Sequence, residues 1–257
     1  MPSFIRRSAL RLAIGLGAAA AFNFAAAQGS APANLNVGAT ATGIPFTFLD
    51  IKSNSIQGMM VDTVQAVGKA GGFQTTIQQT AFAALIPSLT SSKIDVISAA
   101  MLKTAARQQV VDFSEPVYSY GEGLMVKADD NRNYPTLDEL KGEVVGAQVG
   151  TIFVDMLQKK GIFKEVRTYD SVADMSRDLA LGRIKAAVGD QPIMVYQISQ
   201  KAFQGVKMAN GYKSTNVSDV CLIVRKGDTE TLNRINKAIA TIKADGTLAQ
   251  ITKKWGI

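Results

Sequence analysis

An α/β fold built as two similar lobes joined by two interlobe crossings follows from three features of the sequence. Apolar runs of strand length alternate with helical periods along the chain. A β-α-β-α-β succession runs out near Met125, and a similar one starts again after it. Two half-sites also match: Lys93-Ile94-Asp95-Val96-Ile97-Ser98-Ala99-Ala100 followed by Arg107, and Arg183-Ile184-Lys185-Ala186-Ala187-Val188-Gly189-Asp190. Each reads as a basic helix end, an apolar strand and a loop that delivers one charged group.

Residues 28–34 are small and polar and read as a leader, and Leu35 to Ala39 as the first strand. A loop punctuated by Gly and Pro then runs to Gly58. Val61, Val64 and Val67 recur at helical spacing until Gly71-Gly72 stops the helix. Phe73 to Ile77 alternates as a strand, Phe82, Leu85, Ile86 and Leu89 mark a helix, and Asp95 to Ala99 is a strand. Parallel pairing with helices on both faces follows. Asp112 and Glu115 read as exposed-loop acids, with Asp112-Phe113-Ser114 fixing the turn into the first crossing.

In the second half, Thr136-x-x-Glu139 is a capping box. Strands are predicted at Val144–Ala147, Val166–Tyr169 and Ala186–Gly189, with helices opening at Gly150-Thr151, Ser171 and Pro192. Cys221 to Arg225 is the last strand. A long helix carrying Leu232, Ile235, Ile239 and Ile242 follows, then a short one near Trp255, both packing back on the first lobe. The crossings fall near Ser119–Gly123 and Ser214–Ser218, giving one lobe of 28–122 plus 217–257 and a second of 123–216.

The first 27 residues read as a secretory signal peptide. Arg6, Arg7 and Arg11 precede an apolar run from Leu12 to Phe24, and Ala25-Ala26-Ala27 supplies a small-residue cleavage site. The expected location is the periplasm. The formal charge of +7 includes those three arginines, so the remaining chain is only mildly basic. It lacks the basic blocks with interleaved aromatics that nucleic acid requires. Cys221, the single cysteine, lies in an apolar run and reads as a buried inert thiol. There is no histidine, which removes the commonest general base and metal ligand. No catalytic residue, metal or cofactor is expected.

The chemistry sits past the strand ends, where ligands bind in open α/β sheets. Arg107 offers a planar fork for a carboxylate. Asp190 offers acceptors for an ammonium, and Gly150-Thr151 opens a helix whose free N–H groups can hold an anion. Together they answer the recognition problem posed by a free amino acid. Blander readings stand beside these: Arg107 as a surface arginine, Asp190 as a helix cap, Phe82 as core, and Gly43 as a turn glycine with positive φ.

Several segments recur together in one family: Ile44-Pro45-Phe46-Thr47-Phe48, Leu85-Ile86-Pro87-Ser88-Leu89, Val111-Asp112-Phe113-Ser114-Glu115-Pro116, Leu137-Asp138-Glu139-Leu140-Lys141-Gly142, Val188-Gly189-Asp190 and Lys243-Ala244-Asp245-Gly246-Thr247-Leu248. On these the chain resembles the extracellular solute-binding proteins of polar amino-acid ABC importers, over nearly all of its length after residue 27. The resemblance implies a hinge-closing monomer that captures an amino acid and delivers it to an inner-membrane permease. It also implies roles: Arg107 on the ligand α-carboxylate, Thr151 and the backbone after Gly150 as a second carboxylate contact, Asp190 on the α-amino group, and Phe82 as a wall.

Four positions depart from the family pattern. Gly43 stands where an aromatic is usual, Thr40 where an acid is frequent, and Ala100 and Leu102 where small polar residues are frequent. A wider, less polar first-lobe wall and a neutral or bulkier amino-acid-like ligand, rather than a cationic one, are the expectations. The alternative is a periplasmic cyclohexadienyl dehydratase on the same scaffold, with Glu122 as its candidate acid.

Overall fold

The computed structural model describes residues 34–257; the segment read as a signal peptide, 1–27, and residues 28–33 of the expected leader lie outside the described residues, while Asn34 already belongs to the first strand. β1 (Asn34–Ala39) opens the chain, followed by β2 (Thr42–Gly43), β3 (Thr47–Asp50) and β4 (Ser55–Gln57). The loop expected up to Gly58 is therefore a small antiparallel sheet of its own, in the order β2-β3-β4. Its strands are too short for a period-2 pattern to emerge among Gly, Pro and Ser. Then come α1 (Met59–Gly71), β5 (Gln74–Gln79), a 3₁₀ turn at Phe82–Ala84 running into α2 (Leu85–Thr90), β6 (Val96–Ile97), α3 (Ala105–Gln108) and β7 (Val111–Tyr120).

The second half contains β8 (Glu122–Lys127), a 3₁₀ turn at Leu137–Leu140, β9 (Val144–Gln148), α4 (Ile152–Lys160), β10 (Glu165–Tyr169), α5 (Val172–Ala180), β11 (Ala186–Asp190), α6 (Gln191–Ser199) and β12 (Val206–Met208). β13 (Ser218–Arg225), α7 (Thr229–Ala244) and α8 (Thr247–Trp255) close the chain. The Thr136–Glu139 capping box is formed.

Two five-stranded sheets organise the molecule, ordered β5-β1-β6-β13-β7 and β10-β9-β11-β8-β12. In each, the first three strands are parallel, the fourth pairs antiparallel with the third, and the fifth antiparallel with the fourth, so that only the fourth runs against the rest. The expected purely parallel sheets are thus mixed, because each crossing brings a strand in from the other end. β7 leaves the first sheet at Tyr120 and β8 enters the second at Glu122; β13 returns the chain to the first sheet. α7 and α8 pack against α1, with Ile235, Ile239 and Ile242 buried. Asp112 and Glu115 lie on β7 rather than in a loop. Asp112 binds Lys226 and the Gly227 N–H, tying β7 to the turn after β13. Cys221 is buried, and burial pushes its thiol pKa up to about 12.

Candidate functional site

Four central parallel strands, β1, β6, β9 and β11, end at one cleft. Thr40 follows β1, Ala99 to Leu102 follow β6, Gly150 and Thr151 follow β9, and Asp190 ends β11. Two adjoining cavities of about 10 Å³ each lie between them. Thr40, Gly43, Phe46, Phe82, Ala100, Tyr120, Gln148, Asp190 and Ile193 line the first. Leu102, Arg107 and Thr151 line the second, which shares Phe82, Tyr120 and Asp190 with it. Each cavity has room for about one water. A larger groove, about 780 Å³, lies beside Asp62, Lys254 and Trp255 and touches none of these residues.

Arg107 sits on α3, whose first turn is capped by Thr104 accepting from the Arg107 N–H. Its Nη1 donates to Leu102 O at 2.6 Å and its Nη2 to Gly150 O at 3.0 Å. The guanidinium carries five N–H donors, so others remain free. It lies 5.9 Å from the Phe82 ring centre. Burial lowers the Arg107 pKa, and the nearby Tyr120, Asp190 and Asp155 work against that. The second contact of Arg107 draws Gly150 close. There φ is +78°, and a Cβ would come within 2.9 Å of Ala83 Cα, so only glycine fits.

Thr151 is the residue before α4, and both its hydroxyl and its N–H donate to Gln148 O. The donors left for an anion are the first N–H groups of α4 itself, on Ile152 and Phe153, which also line the Arg107 cavity. Leu102 offers its carbonyl to Arg107 and its side chain to the cavity wall. Ala100 stands in the left-handed region, with φ of 53°, which aims its carbonyl at the Tyr120 hydroxyl at 2.9 Å. Gly43 is not left-handed; a Cβ there would stand 3.4 Å from Thr40 Oγ1 and 3.5 Å from Ile193 Cδ1.

Asp190 is 8% exposed and immediately precedes α6 without capping it through its side chain. Its Oδ1 instead accepts from the Tyr120 hydroxyl at 2.5 Å. Burial raises its pKa to about 6, against the lowering pull of Tyr120 and Arg107. Its Oδ2 accepts no hydrogen bond, and no fully buried side-chain oxygen among the described residues lacks a partner, so Oδ2 faces free space.

Tyr120 is the residue that sequence reasoning missed. It is buried, stacked on Phe46 at 5.5 Å, and lines both cavities. Its signal was the pair Tyr118 and Tyr120, which alternate onto one face at the end of a strand. Glu122, the candidate catalytic acid, faces elsewhere. It accepts from the Tyr212 and Thr215 hydroxyls and from the Thr215 and Asn216 N–H groups, and so ties the two crossings together.

The chain has relatives among known proteins. The chain is 31% identical over 218 residues to the L-cystine-binding protein TcyJ of Escherichia coli K12, covering 85% of this chain and 80% of that one. An ancestral arginine-binding protein bound to glutamine superposes with a TM-score of 0.78 at 34% identity, over 86% of this chain and 97% of the other. An ancestral amino acid-binding protein described as a precursor of cyclohexadienyl dehydratase matches with a TM-score of 0.77 at 28% identity, over 86% and 95%. The model of the bacterial extracellular solute-binding proteins, family 3, matches residues 35–257. The chain therefore belongs to the family 3 bacterial extracellular solute-binding proteins.

Proposed function

We propose that this chain is the substrate-binding component of an amino-acid importer. It captures a free α-amino acid between a lobe of residues 28–122 with 217–257 and a lobe of residues 123–216. It then presents the ligand to a membrane permease. Export to the periplasm with removal of residues 1–27 completes the reading, and the protein works as a monomer.

The observation that carries the proposal is the charge pattern of the cleft. Arg107 and Asp190 are its only charged lining residues. Arg107 stands on α3 and Asp190 at the end of β11, and each has free hydrogen-bonding capacity, three N–H donors on one by subtraction and Oδ2 on the other. An α-carboxylate on Arg107 and the α4 N-terminus, with an α-ammonium on Asp190, uses that capacity fully. The cavities are far smaller than an amino acid, so entry requires the walls to separate, and the contact of Arg107 with Gly150 is one that separation breaks. With both charges assigned to the α-groups, no second acid remains for a cationic side chain, and a neutral ligand follows. The relatives' names, cystine-binding and arginine-binding, support the amino-acid class. A dehydratase would need an acid besides the one holding the ammonium, and Asp190 is the only carboxyl among the lining residues.

The test is a thermal-shift screen of refolded chain lacking residues 1–27 against amino acids, dicarboxylates and small sugars. A ligand at a hundredfold its Kd adds about 2.7 kcal/mol, a shift of roughly 5–10 °C at this size. An α-amino acid should give that shift, and R107A should abolish it. A shift from other compounds alone overturns the reading and directs attention to turnover of cyclohexadienyl acids.

A further inference from the structure

The cleft holds more polar capacity than an α-amino and an α-carboxyl group consume. At the end away from Arg107, Thr40 and Thr47 place their hydroxyls 2.7 Å apart. Two hydroxyls carry two hydrogens, and one bond between them uses one. Thr47 is 0% exposed and finds no other acceptor, so it is the donor of the pair, because a buried unmade hydrogen bond is costly. The Thr40 hydrogen is then free to turn into the cavity that Thr40 lines. Gly43 leaves the space above it open, where any larger residue would place a Cβ against Thr40 Oγ1.

Across the same cavity, Gln148 donates Nε2 to Asp170 O at 2.9 Å, which fixes the amide orientation. Its Oε1 accepts nothing. Because no fully buried side-chain oxygen among the described residues lacks a partner, that atom keeps access to free space. The walls between these points are apolar: Phe46, Phe82 and Ile193. The combination is one free donor and one free acceptor beyond an apolar passage, and Asp190, the one charged residue lining this cavity, is already assigned to the α-ammonium.

We propose that this end of the cleft selects a primary carboxamide side chain, the Thr40 hydroxyl donating to its carbonyl oxygen and the Gln148 amide oxygen accepting from its NH₂. The inference rests on the amino-acid reading above and names the ligand within it. Thr40 and Gln148 are specificity-determining residues, whereas Arg107 and Asp190 are common to every α-amino acid. A charged side chain would leave its ion unpaired here, and an apolar one would leave two buried polar groups unmet.

The experiment is isothermal titration of refolded chain lacking residues 1–27 with L-glutamine, L-asparagine, L-methionine, L-glutamate and L-arginine. A carboxamide should bind at least about tenfold more tightly than methionine and than either charged ligand. T40V should weaken the carboxamide about tenfold or more and leave methionine within about threefold, while T40S should keep the wild-type preference. Methionine or arginine binding as tightly as the carboxamides overturns the inference and leaves the Arg107–Asp190 clamp intact. Equal weakening of carboxamide and methionine by T40V overturns it as well. Binding of none of the five overturns this inference, and the thermal-shift screen above then decides the clamp. Should T40V not fold, the wild-type ranking decides.

Discussion

The Tyr120 hydroxyl stands 2.5 Å from Asp190 Oδ1 and 2.9 Å from Ala100 O, and its single hydrogen can serve only one of them. When Asp190 is charged, the hydrogen goes to the carboxylate and the Ala100 carbonyl loses its donor. When Asp190 is protonated, it donates to Tyr120, which in turn donates to Ala100. Burial, with this exchange of hydrogens beside it, keeps the Asp190 pKa near 6.

Ligand affinity should therefore depend on pH. The α-ammonium needs the charged carboxylate, so the Kd should be flat above about pH 7 and rise about tenfold per pH unit below the Asp190 pKa of about 6. Titration calorimetry between pH 4.5 and 8 measures it. Y120F removes a hydrogen bond to the charged form and should move the midpoint upward by about one to two pH units. An unchanged midpoint would remove Tyr120 from the site.

Asp190 also costs stability. Its folded pKa of about 6 lies above the ordinary aspartate value of 3.8, so the folded chain holds the extra proton between those values. Stability falls as pH rises through that window, and the cost is complete above about pH 6. D190N keeps an acceptor for Tyr120 without the buried charge. At pH 7.5 it should raise the Tm of ligand-free protein by about 3–8 °C, corresponding to roughly 1–3 kcal/mol, while abolishing amino-acid binding. A scanning calorimetry run showing a lower Tm would contradict this assignment of cost.

Glu122 behaves in the opposite sense. Burial raises its pKa, but the hydroxyl and N–H of Thr215 outweigh that and hold it below its ordinary value. Its stabilisation is thus present above about pH 4.5 and is lost as pH falls below it. E122Q sets an amide NH₂ against donors from Thr215 or Asn216. A loss of about 2–3 kcal/mol, or roughly 5–10 °C in Tm, is expected at pH 7.

Gly150 meets Ala83 across the cleft, so G150A should oppose closure directly. Ligand affinity should fall at least about tenfold, since the added Cβ would stand 2.9 Å from Ala83 Cα when the cleft is shut. Small-angle scattering of the variant at saturating ligand should give a larger radius of gyration than wild type. Equal radii would show that the Ala83 contact does not limit closure.

The two halves were legible because local patterns repeat in them. Val61, Val64 and Val67 mark α1, Thr136 and Glu139 make their capping box, and Ile235, Ile239 and Ile242 mark the buried face of α7. The eight residues proposed for ligand contact also come together: Ala100 and Leu102 follow β6, Gly150 and Thr151 follow β9, Asp190 ends β11, and Arg107 reaches Gly150 from α3, with Gly43 and Phe82 lining the same cavities. Two things stayed out of reach. The short strands β2 to β4 offer too few residues for a period, and the antiparallel partners β7, β8 and β13 come from crossings that no local pattern encodes.

The order of the parallel strands and the long helices, the opposed charges of Arg107 and Asp190, and the family were determined by the sequence alone, because periodicity, turn chemistry and motif spacing are properties of neighbouring residues. Only the tertiary structure decided which groups share the cleft. Tyr120 reaches Asp190 across 70 positions of chain, and Glu122 reaches Thr215 across 93. Such contacts follow from where whole sheets lie, and no window of sequence contains both partners.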